Sequence, residues 1–181
     1  MLQITIQISP EGWDENKEEF VEAKTRILQL EHSLISLSKW ESKWCKPFLS
    51  STNKTDEEVL DYIKLMTLTQ NVDPEVYSHL SVENFKAIDA YINAPMTATT
   101  FSEDKNGKRS REIITAELIY YWMIALNIPF ECQKWHLNRL LTLVRVCNIK
   151  NTPPKKYSKR ETASSYAAIN AARRKQMNSK G

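Results

Sequence analysis

The chain has 181 residues, of which 41% are apolar and 26% are charged. This composition is typical of a globular protein long enough to bury a core without disulfides or metals, and it argues against whole-chain disorder. Only three glycines and three cysteines are present, which argues against Gly-rich phosphate loops and against a secreted disulfide scaffold. The N-terminus lacks the basic region and long apolar run of a signal peptide, so we expect a cytoplasmic protein.

The net charge of +3 is unevenly distributed along the chain. Residues 155–181 contain eight basic side chains against Glu161, which gives this segment +7 and leaves −4 for the rest. The basic residues are Lys155, Lys156, Lys159, Arg160, Arg173, Arg174, Lys175 and Lys180. A mildly acidic body with a basic tail favours electrostatic contact with an acidic partner or with nucleic acid.

The N-terminal segment predicts β-structure. Leu2, Ile4, Ile6 and Ile8 alternate with polar residues, and this period of two is typical of a half-buried strand. Residues 26–30 could form a second short strand, and a hairpin is the simplest use of both segments. Helical spacing of apolar residues then predicts a helix over 31–44, which ends before Pro47 because proline cannot continue a helix from within.

Two capping signals locate the next helices. Thr55 and Glu58 form a capping box that opens a helix through about Leu68. A short helical turn follows Pro74, and Ser81 then caps a helix across Phe85, Ile88 and Ile92. The segment from Pro95 to Ser110 is polar and contains a turn signal, so we expect a loop there.

The most apolar part of the sequence predicts a pair of helices. Residues 111–127 are apolar nearly all round, which is typical of a helix in the middle of a fold, and Ser110 can cap it. Residues 133–147 place Leu137, Leu140, Leu141 and Val144 on one face. Because the connection is short, the two helices should pack as an antiparallel hairpin.

The C-terminal region differs in character. Pro153-Pro154 and three lysines indicate a linker, and residues 159–176 predict a final helix rich in Ala, Arg and Lys. It has little apolar surface to bury, so we expect it to be exposed or to order on a partner. The predicted fold is therefore mainly α: a compact helical domain over 1–150 with a short N-terminal strand or hairpin, and a linker with a basic helical tail over 151–181.

No cluster of residues predicts catalysis. The three histidines lie in no recognisable nucleophile motif. Cys132, His136 and Cys147 suggest a zinc site, but the spacing is loose and a fourth ligand is missing, so small core residues are the favoured interpretation. The acidic clusters at 14–22 and 56–61 are better explained as solvated faces and helix-start charges. We therefore expect a binding protein rather than an enzyme, with no catalytic residue, metal or cofactor.

Five tryptophans are many for this length, and Trp is enriched at protein interfaces. Trp122 lies inside an apolar helix and is assigned to the core, whereas Trp40 and Trp44 fit core and partner surface equally well. The tail lacks the aromatic residues that single-strand nucleic-acid binders interleave with basic ones. The candidate partner-binding residues are Trp40, Trp44, Trp135, Arg139, Lys155, Lys156, Lys159, Arg160, Arg173, Arg174 and Lys175.

Several segments together resemble a known family. EHSLISLSKWESKWCKPFLS, YIKLMTLT, YINAPMTATTF and above all AELIYYW…NIPF…WHLNRLL resemble a small protein encoded among the tail genes of long-tailed bacteriophages, over nearly the whole chain. The apolar helix, the turn with an aliphatic-Pro pair and the Trp-bearing second helix are similar to those of phage tail-assembly chaperones.

The resemblance implies a function in morphogenesis. Such chaperones coat the tape-measure protein while tail-tube subunits assemble around it, and they are absent from the finished virion. It further implies location in the cytoplasm of the infected bacterium and, in some members, a longer frameshifted form. The apolar stretch from Ile113 to Phe130 carries Glu117, Asn127 and Pro129 and is short for a membrane span, so no membrane contact is expected. Self-association stays open. Two alternatives stay open: a structural tail or head-tail connector protein, and a nucleic-acid-binding accessory protein acting through the basic tail.

Overall fold

The computed structural model describes residues 1–14, 19–101, 112–152 and 159–177. The chain divides into two compact units, Met1–Asn148 and Ile149–Gly181. The described part is mainly helical and begins with an antiparallel hairpin, so the predicted fold class is confirmed.

The N-terminal hairpin pairs β1 (Leu2–Ser9) with the last strand of the region, β4 (Lys24–Leu30). Ile4 and Ile6 on β1 are buried while their neighbours are exposed, as the alternation of apolar and polar residues predicts. Between these strands lie β2 (Gly12–Asp14) and β3 (Glu19–Val21), which form a second antiparallel pair. This second pair lies in the acidic stretch, for which the sequence analysis predicted no strand.

Local capping signals begin the next three helices. Ser33 caps α1 (Leu34–Trp44). The predicted capping box of Thr55 and Glu58 opens α2 (Asp56–Met66). A 3₁₀ turn at Pro74–His79 precedes α3 (Val82–Asn93), which begins at the predicted cap, Ser81.

The apolar helix pair differs in its limits from the prediction. Helix α4 covers Ala116–Ala125 and is capped by Thr115 rather than by Ser110; Ser110 lies outside the described residues. A 3₁₀ turn at Phe130–Lys134 precedes α5 (Leu137–Asn151), so the second helix begins and ends about one turn later than expected. Asn127, with φ of 52°, reverses the chain after α4, since Asn tolerates the left-handed conformation better than most residues.

The core of the first unit combines the inner side of the hairpin with one side of each helix from α1 to α5. Its largest fully buried side chain is Trp40, whose indole N–H donates to the Glu58 carbonyl at 2.9 Å. This hydrogen bond joins α1 to α2, and it matters because an unpaired indole N–H would be costly inside a core.

The second unit contains α6 (Lys159–Met177). Its large apolar side chains are exposed, including Tyr166 and Met177, as expected for a helix with little to bury. None of the helices in the described ranges combines the length and the hydropathy needed to cross a membrane.

Candidate protein-binding surfaces

The two tryptophans of α1 occupy different environments. Trp40 is 0% exposed, so its assignment as a partner-binding residue is wrong and the core alternative is correct. Trp44 is half-buried, and its indole N–H donates to Asp61 Oδ2 at 2.9 Å while Lys43 pairs with Oδ1 of the same carboxylate at 2.6 Å. These hydrogen bonds lower the pKa of Asp61 against the opposing effect of its burial. Trp44 therefore fixes α1 to α2, with part of its ring left accessible.

Trp135 and Arg139 lie together beside the start of α5. The Arg139 guanidinium stacks over the Trp135 ring at 4.2 Å from its centroid, a cation–π arrangement. Trp135 is half-buried and Arg139 is exposed. The structure thus places two of the candidate partner-binding residues, Trp135 and Arg139, in contact with each other.

The basic tail is described in part. Arg173, Arg174 and Lys175 are exposed near the end of α6. Lys159 and Arg160 begin that helix, and their side chains lie outside the description. Lys155 and Lys156 lie outside the described residues altogether.

Helix α4 carries a surface that the sequence analysis assigned to the core. Tyr121 is 63% exposed and Ile124 is 62% exposed, and residues three apart on a helix lie on the same side. Ile113 and Phe130, also more than half exposed, flank the helix at its two ends. The four residues are called the α4 apolar face below. An all-apolar helix was expected to be covered all round, but α4 buries Ala116, Ile119 and Met123 fully and Tyr120 and Trp122 only in part against the core.

A buried carboxylate holds α4 in position. Glu41 on α1 is 7% exposed, and its two oxygens accept hydrogen bonds from the backbone N–H groups of Phe48 and Ala116, both at 2.7 Å. Ala116 is the first residue of α4, where a negative charge is favourable because the N–H groups there lack helical partners. The α4 apolar face is therefore presented by an anchored helix.

A second surface feature lies between α2 and α3. It is a pocket of about 430 Å³ with a floor of buried side chains, Tyr62, Ile63 and Ile88. Its wall includes Phe48, whose ring lies beneath the Lys54 ammonium at 4.3 Å. Phe85 and Leu49 extend the apolar lining to the surface, where they are 37% and 40% exposed. We call this feature the α2–α3 groove.

The Lys54 ammonium lies on the wall of the α2–α3 groove, whose lining also includes Asp89. It donates to the Ser51 carbonyl at 2.7 Å, and within the described ranges no carboxylate lies within 4 Å of it. Burial lowers the pKa of Lys54, although the nearby Glu58 carboxylate acts in the opposite direction. Glu58 itself is engaged by Lys46 and by the Thr55 N–H.

Two buried histidines lie between the helices. The rings of His32 and His136 are 5.1 Å apart; His32 Nδ1 lies 2.6 Å from the Tyr62 hydroxyl, and His136 Nε2 donates to the Tyr91 carbonyl at 3.0 Å. Burial lowers the pKa of both imidazoles, that of His32 to about 3 with a further contribution from His136. Neutral, internally bonded imidazoles stabilise the contact between the segment that joins β4 to α1 and the start of α5, where the Leu137 N–H donates to the His32 carbonyl at 2.7 Å.

The cysteines form no metal-binding group with these histidines. Cys132 is buried, and burial raises the pKa of its thiol. Among the residues that the structure describes, no group of three or more His, Cys, Asp or Glu side chains is placed to hold a metal ion.

No known protein family, curated protein or solved structure matches this chain.

Proposed function

We propose that the protein is a tail-assembly chaperone of a long-tailed bacteriophage, which binds the tape-measure protein transiently in the cytoplasm of the infected cell. The sequence resemblance over AELIYYW…NIPF…WHLNRLL supports this function. The observation that carries it structurally is the α4 apolar face, because the same motif encodes an apolar helix with Tyr121 and Ile124 on its accessible side.

An exposed apolar helix face fits a helical partner. Soluble proteins leave large contiguous apolar surfaces exposed mainly where they bind something, and an amphipathic helix is a common occupant of such a surface. Glu117 is exposed on the same helix, four positions before Tyr121, so the face has a charged residue beside it, as a binding rim requires. A tape measure is long, largely helical and amphipathic, and it matches this chemistry.

The test is a pull-down in which this protein is the bait and a fragment of the tape-measure protein from the same genome is the prey. We expect the protein to retain the fragment, and Tyr121→Ser with Ile124→Ser to weaken retention at least tenfold, since buried aromatic and aliphatic anchors dominate binding energies. Val82→Ser is the matched control, because Val82 is 64% exposed on α3 and lies outside the face. A folded protein that retains no tape-measure fragment would refute the proposal.

Mass spectrometry of purified particles separates this function from a structural one. A chaperone is absent from the virion, whereas a connector or tail component is present in stoichiometric amount. Detection of the chain in mature particles would therefore favour the structural alternative.

The exposed Arg173, Arg174 and Lys175 of α6 favour a second candidate function, binding of nucleic acid. Phosphate contacts would make such binding strongly dependent on salt. A gel shift that weakens with added salt and disappears when residues 155–181 are removed would support it. Equal retention of the truncated chain on DNA or RNA would exclude the tail as the binding element.

A further inference from the structure

Helix α6 carries an exposed apolar side that ends in a positive charge. Tyr166 is 64% exposed and Ile169 is 45% exposed, and Arg173, which is also exposed, follows four positions after Ile169. Residues three and four apart lie on the same side of a helix, so these side chains form one row. We call the three residues the α6 stripe. Its composition fits a helix surface that offers apolar side chains and one carboxylate.

Helix α4 offers a surface of that composition. Glu117 is exposed and is the single charged residue of α4. Tyr121 follows it by four positions and Ile124 follows by three more, and both are more than half exposed. The same spacing rule places the three side chains on one side of the helix. The accessible side of α4 therefore combines two large apolar side chains with a negative charge, where the α6 stripe combines two with a positive one.

The two rows match in spacing when the helices run antiparallel. Along α4 the intervals from the charged residue are four and then three positions, and along the α6 stripe, read backward from its charged residue, they are again four and three. Each row covers about 10 Å of helix axis at 1.5 Å per residue. The antiparallel register pairs the opposite charges and then the apolar residues: Arg173 with Glu117, Ile169 with Tyr121, and Tyr166 with Ile124. A parallel arrangement would instead place the Arg173 charge against an aliphatic side chain, which is unfavourable.

The same register continues beyond the charged pair. Met177 lies four positions after Arg173 and is 79% exposed, and Ile113 lies four positions before Glu117 and is 59% exposed. Antiparallel packing brings these two apolar side chains to the same end of the contact. All of the apolar side chains in the match are exposed in the single chain, so each copy has both surfaces to offer to another copy.

We propose that two copies of this chain associate by packing α6 of each copy antiparallel on α4 of the other, with Arg173 beside Glu117. Reciprocal packing gives a closed, twofold symmetric dimer in which the same surfaces are used twice. Each contact is short, so the dimer is weak and concentration-dependent. A tape measure on the α4 apolar face would displace α6, but the association is a property of the protein alone, and its failure leaves the tape-measure proposal intact.

Sedimentation equilibrium of the full-length protein from about 10 μM to about 1 mM tests the association, because weak interfaces form in this range. We expect the mean mass to rise toward that of a dimer, and Tyr166→Ser with Ile169→Ser to weaken dimerisation at least tenfold. Serine has a helix propensity close to those of tyrosine and isoleucine, so the change removes apolar surface without breaking α6.

The matched control is Leu68→Ser with Val82→Ser, which removes two exposed apolar side chains outside both surfaces and should dimerise as wild type does. A mass that stays monomeric throughout, or that rises equally when the α6 stripe is changed, would overturn the proposal.

A charge exchange tests the register. Glu117→Arg and Arg173→Glu each place like charges in both contacts of a homodimer, so each variant alone should dimerise at least tenfold more weakly than wild type. A mixture of the two variants restores opposite charges in both contacts and should recover the dimer. Thermal melting first establishes that each variant is folded.

Two charge reversals outside the contact serve as controls. Glu83→Arg makes the same change at the second position of α3, and Lys175→Glu makes it on a different side of α6 from the stripe; both should dimerise as wild type does. Wild-type dimerisation of Glu117→Arg or Arg173→Glu alone, or failure of their mixture to associate when both are folded, would contradict the antiparallel contact.

Discussion

Acidification should destabilise this protein well before its carboxylates are protonated, because of the two buried histidines. In the unfolded chain His32 titrates with an ordinary pKa of about 6.5, whereas in the fold its pKa is about 3. Between these values the unfolded state binds a proton that the native state does not, so the free energy of unfolding falls as the pH falls. Above about pH 7 both states are neutral at this site, and its effect vanishes.

The magnitude follows from linkage. Each pH unit below the unfolded pKa costs about 1.4 kcal/mol per histidine that remains neutral in the fold. His32 alone therefore removes about 2 kcal/mol between pH 7 and pH 5, and about 4 kcal/mol by pH 3, where its folded form is also partly protonated. The pKa of His136 is also lowered by burial, so this histidine further reduces the free energy of unfolding as the pH falls. The carboxylates with lowered pKa, Glu58 and Asp61, lose their contribution only at lower pH, so the range from 7 to 5 reports on the histidines.

Urea unfolding followed by tryptophan fluorescence at pH 7, 6 and 5 measures this effect. His32→Gln should lose about 2 kcal/mol less than wild type over that range, whatever its stability at pH 7. His79→Gln is the matched control, because His79 is exposed, and it should keep the wild-type loss. Wild-type stability that is constant from pH 7 to pH 5, or an equal loss in His32→Gln, would refute the reasoning.

Three further predictions concern the anchoring of α1 and α4. Trp40→Ala should lower the free energy of unfolding by about 3–5 kcal/mol, as measured by urea titration, since it empties the largest fully buried site. Glu41→Gln should lower the free energy of unfolding by about 1–3 kcal/mol, because the amide nitrogen cannot accept one of the two backbone hydrogen bonds. Glu117→Gln, at an exposed position, is the control. Equal stability of the two variants would contradict this role of Glu41. Tyr121→Ser should change stability by no more than about 0.5 kcal/mol, and a large loss in thermal melting would show that the α4 apolar face is structural.

The elements that the sequence predicts well are those that depend on local chemistry. The box of Thr55 and Glu58 identifies the start of α2, since cap and helix lie within four residues. The same holds for Ser81 and α3. Alternation along β1 predicts which of its side chains are buried, because a strand places successive residues on opposite faces.

The features of the candidate surfaces depend on contacts between distant residues, and local patterns do not predict them. The spacing of Trp40 and Trp44 predicts a shared helix face but not whether the face is covered; the Glu58 carbonyl, 18 positions away, fixes Trp40 in the core. The α2–α3 groove likewise combines Phe48 and Lys54, from the connection between α1 and α2, with Phe85 of α3.

For helix α4 too, the local sequence does not predict which side chains are exposed. A helix that is apolar on every side is typical of a position where neighbouring elements cover it completely. The sequence of α4 therefore predicted a fully buried helix. In the structure Glu41, 75 positions before Ala116, ties the start of α4 to α1, and Tyr121 and Ile124 stay exposed while Tyr120 and Trp122 are partly buried. Exposure of such residues is unfavourable in an isolated monomer. Under the proposed function a helical partner covers Tyr121 and Ile124, and the strong loss of tape-measure retention expected for Tyr121→Ser with Ile124→Ser is the measurement that separates this role of the apolar residues from burial within the monomer.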